Sequence, residues 1–147
     1  MKNKIISLGS VLFALLAVNA NAANLTGTWK GTGRAIDNAG KPIDCESVVL
    51  SISHSASSLT VNSAFTCGGQ PMSIPGGAME IRGGELFDKG VKAGTISDSA
   101  ISLVARSKGY VMQTNATFND SVMNLRSVIS VGNNPAPALT FDAQLRR

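Results

Sequence analysis

From Leu25 to Arg146 the chain consists of short runs in which apolar and polar residues alternate, broken by Gly, Asn, Asp or Pro, and no stretch keeps a useful helical period. Alternation of period two sends one side chain inward and the next outward, so each run buries a single face. About nine such runs call for a sheet that closes or stacks on itself, since closure removes exposed edges. The expected fold is all-β: a small antiparallel up-and-down β-barrel of about 8–9 strands, with a β-sandwich as the alternative.

The N-terminus reads differently. Lys2 and Lys4 precede an apolar run from Ile5 to Val18, and small residues follow, ending Ala20-Asn21-Ala22. These are the three parts of a secretory signal peptide, and the run is short for a spanning helix. Residues 1–22 are therefore expected to be cleaved, leaving residues 23–147 as a single β-barrel domain in the periplasm or outside the cell, exported by a bacterial route. An outer-membrane barrel would need aromatic girdles, and the mature part has only Trp29, Tyr110, Phe65, Phe87, Phe118 and Phe141. The formal charge of +4 falls to +2 once Lys2 and Lys4 leave with the signal, and the remaining basic residues are scattered. No nucleic-acid footprint is visible.

Cys45 and Cys67 both lie in the mature part, and an even count in an exported chain reads as one disulfide. Closing a loop of about 23 residues is worth roughly 3 kcal/mol in the chain-entropy picture. The apolar pattern pairs Ile52 with Val61 and Val48 with Phe65, which would set Cys67 opposite Glu46. A β-bulge near Cys45 would bring the two cysteines together without sacrificing the apolar face.

Beyond Cys67, residues 68–90 are rich in Gly and contain Pro71 and Pro75, and they read as the least regular part of the chain. Within them Gly83-Gly84 reads as a two-residue hairpin turn that sets Arg82 beside Glu85 as a surface ion pair. Val91–Ile96 and Ala100–Ala105 form a further hairpin. Tyr110–Phe118 and Ser121–Val131 form the clearest one, turning at Asn119-Asp120 and matching Ala116 with Met123, Thr114 with Leu125 and Tyr110 with Ile129. The last strand alternates Leu139, Phe141, Ala143 and Leu145 against polar residues.

The first strand carries a resemblance. Gly27-Thr28-Trp29 near the start of an all-β chain resembles the Gly-x-Trp opening of lipocalins and the wider calycin group, and Leu25-Thr26-Gly27-Thr28-Trp29 is similar to the first strand of avidins. The resemblance implies an up-and-down barrel whose Trp packs under the closed end, often against an Arg near the last strand. Arg146 is the expected partner, with Arg126 second. Avidin-like biotin binding is not implied, because Gly31 follows Trp29 by two positions and no second Trp exists. A plain core aromatic is the equally simple reading of Trp29.

The chemistry of an enzyme is hard to find. The one His, His54, sits at a strand end, no Gly-x-Ser-x-Gly is present, and the carboxylates are spread singly. No catalytic residue, metal site or cofactor is expected. The first functional expectation is a binding protein holding a small apolar or amphipathic ligand in its open end. Tyr110, Met112 and Phe118 would point inward as pocket lining or plain core. If the opposite face, with Gln113, Asn115, Asn124 and Arg126, turned inward, it would supply the polar groups; otherwise it is the wet outer face. The second is an exported protein-binding module, such as an inhibitor of a cell-envelope enzyme, using the stretch from Gly68 to Gly90 against an envelope protein.

Overall fold

In the computed structural model, which describes residues 24–147, eleven strands follow in order. They are β1 (Gly27–Asp37), β2 (Pro42–His54), β3 (Ser58–Cys67), β4 (Gln70–Ile74), β5 (Ala78–Arg82) and β6 (Glu85–Asp88), then β7 (Val91–Ile96), β8 (Ala100–Ser107), β9 (Tyr110–Phe118), β10 (Val122–Val131) and β11 (Leu139–Arg146). The expected signal segment lies outside the described residues. All pairings are antiparallel, and β1 joins β11, so ten strands close a barrel in the order β1-β2-β3-β5-β6-β7-β8-β9-β10-β11. The extra strand, β4, shares one edge of β3 with β5.

That extra strand corrects the reading of residues 68–90 as irregular. Met72 and Ile74 alternate with Pro71 and Ser73, a period-two run hidden by its neighbouring glycines. Between β4 and β5 the chain passes so close to β3 that a Cβ on Gly76 would stand 1.7 Å from the Val61 carbonyl oxygen. Only glycine fits there. Its N–H donates to Asn62 Oδ1 at 2.9 Å, which anchors the crossing.

The β2–β3 register pairs Val48 with Phe65 and Ile52 with Val61, and then shifts so that Cys45 faces Cys67. Glu46 is the additional residue, and β1 registers the same shift between Gly31 and Gly33. The bulge reverses the alternation of β2, so that Cys45 is buried together with Val48, Leu50 and Ile52. Cys45 and Cys67 are disulfide-bonded, with Cα atoms 3.9 Å apart.

One end of the barrel is closed by packed side chains. Leu25, Trp29, Leu59, Leu86, Met123 and Leu145 are all fully buried there. Trp29 Nε1–H donates to the Leu25 carbonyl at 3.0 Å, which satisfies the indole's single donor. The Arg147 guanidinium lies 4.8 Å from the Trp29 ring centroid. It donates to the backbone carbonyls of Asp120 (2.7 Å), Thr26 (3.3 Å) and Asn24. The expected partner Arg146 is exposed, pairing across the backbone with Lys30 and Val122. Leu145 points inward, so Arg146 must point outward and the next residue returns to the closed end. Arg126, the second candidate, is on the outer wall.

Two further registers differ from expectation. The β9–β10 hairpin pairs Phe118 with Met123, Ala116 with Leu125 and Tyr110 with Val131, a slip of two residues that keeps every side chain on its expected face. The longer turn arises because Asn119 Oδ1 accepts from the backbone N–H groups of Ser121 and Val122, at 3.0 and 2.9 Å. Arg82 does stand opposite Glu85 across Gly83-Gly84. Its bonds go instead to Glu80, two residues back on the same face, while Glu85 pairs with Lys92.

Candidate functional site

Above the closed end the lumen is unfilled. A cavity of about 310 Å³ runs up the barrel axis, walled by Val61 and Phe65 from β3, Met112 and Ala116 from β9, Leu125 from β10 and Phe141 from β11. The Phe65 and Phe141 rings meet edge to face with centroids 5.5 Å apart. Gly33 gives the Phe141 ring room, since a Cβ there would stand 2.9 Å from it. Around these rings the lining includes the small side chains of Ala93, Ala105, Ala116, Ser63 and Ser127, and this shortfall in volume leaves the space.

Polar groups in the lumen are few. Thr114 Oγ1 and Ser127 Oγ share a hydrogen bond of 2.8 Å across β9 and β10. Ser63 adds a third hydroxyl, and Asp88 is the one charged residue of the lining. An apolar space with a few hydroxyls suits a molecule that is mostly hydrocarbon and carries one or two hydrogen-bonding groups.

The opposite end is open and apolar. Met72, Ile74, Val91, Tyr110 and Val131 are among the large hydrophobics that remain exposed, and Val91 is exposed by 71%. All five stand at the open end, and register puts four of them on the lumen side. Met72 pairs with Phe65, Ile74 with Ser63, and Tyr110 with Val131, two steps along from Met112. Tyr110 thus belongs to the rim, Met112 to the lumen wall, and Phe118 to the buried closed end.

Gln113, Asn115, Asn124 and Arg126 turn outward, so of the two directions open from the sequence this face is the wet outer wall and not the polar part of the lumen. The reason lies in the alternation itself: Thr114, Ala116, Leu125 and Ser127 take the inward positions. Outside, the side chains form a ladder across the strands. Arg126 Nη1 donates to both Asp142 carboxylate oxygens at 3.0 and 3.1 Å, Gln144 Nε2 donates to Asn124 Oδ1 at 3.1 Å, and Arg34 pairs with Asp44 at 3.0 Å. These partners satisfy one another's charges and hydrogen bonds.

His54 is away from the cavity at the closed end, where its backbone N–H and C=O both bond the Thr26 hydroxyl. Among the described residues no group of three or more His, Cys, Asp or Glu could hold a metal ion.

No family model matches the chain, and no curated protein does. Among solved structures it is similar to a DUF3598-family protein of unknown function from Nostoc punctiforme, with a TM-score of 0.59 at 14% identity. That match covers 84% of this chain and 48% of the other, so the chain spans about half the length of that protein. It is also similar to the S-type phycobiliprotein lyase CPES from Guillardia theta, with a TM-score of 0.55 at 9% identity, covering 84% of this chain and 87% of that one. At such identities the likeness is one of fold, a closed antiparallel barrel.

Proposed function

We propose that this protein is an exported, non-enzymatic, calycin-like barrel that holds a small apolar or amphipathic molecule in its lumen. The observation that carries the reading is the cavity of about 310 Å³, apolar except for Ser63, Thr114, Ser127 and Asp88, open at an end ringed by exposed hydrophobic residues. Met72, Ile74 and Val91, exposed together at this end, are apolar surface that a bound molecule would cover. The fold-level neighbour named as a phycobiliprotein lyase shares a barrel of this shape. Trp29 closing the base under Arg147 fits the Gly-x-Trp opening of the calycin group. The Cys45–Cys67 bond fits an oxidising compartment, and export through residues 1–22 is part of the same proposal.

Native mass spectrometry of the protein purified from its own compartment, followed by denatured mass without reductant, tests this reading. An extra mass released on denaturation is the expected result. A bare mass that stays bare after incubation with lipid extract would contradict it. That outcome would favour the second reading, an exported protein-binding module, for which Met72 and Ile74 on the free edge of β4 form the contact surface.

A further inference from the structure

The barrel wall is uneven in height. β5, β6 and β7 have 5, 4 and 6 residues, whereas β1, β2 and β3 on one side have 11, 13 and 10, and β8 and β9 on the other have 8 and 9. β7 pairs with β8 only from Gly94↔Leu103 to Ile96↔Ile101, so Val104 to Ser107 have no partner on that side. Across the gap, β4 pairs with β3 alone. The tip of the β6–β7 hairpin lies between these two free edges. The cavity reaches them, since Ile74 and Gly77 line it from one side, Val104 from the other, and Asp88 and Ala93 from below.

Charge around this gap is one-sided. Lys89 sits in the β6–β7 turn, Arg106 on the unpaired part of β8 and Lys108 in the β8–β9 turn. None of them takes part in the ion pairs found among the described residues, and Lys92 is held by Glu85. Asp88 is the single opposing charge at the hairpin tip.

We infer that the gap between β4 and β8 is a lateral portal for a single-chain amphiphile with an anionic head group. This rests on the lumen reading above and adds the route of entry and the charge of the head. The chain enters the lumen, and the head remains at the gap beside Lys89, Arg106 and Lys108. A head held at the surface keeps its charge hydrated, whereas one at the barrel base would need a buried partner. At roughly 30 Å³ for each water-sized group, the lumen takes a chain of about ten carbons.

The test is calorimetric titration of the purified protein with decanoate, 1-decanol and decylamine below their aggregation concentrations, repeated on K89Q/R106Q/K108Q. Decanoate is expected to bind about tenfold tighter than decylamine at low salt, as three exposed cations allow. The gap should narrow with salt and close in the triple variant, whose affinity for 1-decanol stays unchanged. Equal affinity for all three compounds would overturn the head-group inference and leave the lumen reading standing. Binding of none of them would overturn both. For the route, Ala93→Trp places a ring in the gap below an unaltered mouth and should slow decanoate association about tenfold; Val104→Trp repeats the test from the opposite edge if the first variant does not fold. An unchanged rate in a folded variant would place entry at the mouth and overturn the portal.

Discussion

Arg147 and Trp29 act as one unit at the base of the barrel. The guanidinium covers the ring and ties the segment before β1 to the β9–β10 turn through three carbonyls. Arg147→Ala should therefore cost about 1–3 kcal/mol in urea unfolding, the sum of a cation–π contact and charge-assisted hydrogen bonds. Arg146→Ala should stay within about 0.5 kcal/mol of the parent. Trp29 is buried, as a plain core aromatic would be, and the arginine over its ring is Arg147 where Arg146 was expected. Counting inward from Leu145 by twos reaches Arg147, so the signal was present in the alternation. In the lumen, Thr114→Val alone strands the Ser127 hydroxyl and should cost about 1–3 kcal/mol, while Thr114→Val with Ser127→Ala should be nearly neutral. At the surface, the hydrogen bond from Arg82 holds the Glu80 carboxyl below the usual carboxylate range, opposed by desolvation and aided further by the Arg82 charge. A depressed folded pKa contributes stability that is present above the unfolded value and lost as pH falls through the folded one. E80Q should accordingly lower the neutral plateau slightly and meet the parent at low pH, which flattens the acid limb of a stability–pH profile; profiles that coincide throughout would show that the pair is silent.

Among the elements, the β2–β3 hairpin shows two demands on one register. Burial of Val48, Leu50 and Ile52 against Val61 and Phe65 fixes the pairing at one end, and the disulfide fixes it at the other. The bulge at Glu46 reconciles them, and both demands could be read from residue types alone. Replacing Cys45 and Cys67 by Ala should cost roughly 3 kcal/mol, measured as a lower urea midpoint, because the constraint on the unfolded chain is lost. The β9–β10 register was less legible, since the choice between a two-residue turn and a longer one depends on the Asn119 side chain capping the backbone. A slip of two leaves the inward pattern intact, so burial cannot distinguish the two registers. β4 was hidden for another reason: Gly76 reads as a loop residue, yet it is there for a close strand crossing. Gly76→Val should destabilise by at least about 2 kcal/mol, as its Cβ has a backbone oxygen for a neighbour and nothing flexible to displace.

For the molecule as a whole, the all-β class and closure of the sheet follow from period-two patterning, and the ring of ten strands shows why. Each strand has one face to bury, and only closure gives every strand two neighbours. The state of the lumen was not legible. Whether Ala93, Ala105, Ala116, Ser63 and Ser127 leave a void depends on which of them reach the same level of the barrel, a consequence of ten registers acting together. The same ambiguity left the polar face of β9 and β10 without a direction until Thr114 and Ser127 proved to be the inward pair. The methionines offer the most direct test of the central claim, that the lumen is a ligand site. Met79, Met112 and Met123 line the cavity, whereas Met72 stands at the mouth. With ¹³C-methyl methionine and a titration of 1-decanol followed by NMR, the account predicts saturable shifts at Met79, Met112 and Met123. Methyl signals from these three that stay fixed up to the solubility limit, with or without movement at Met72, would contradict it.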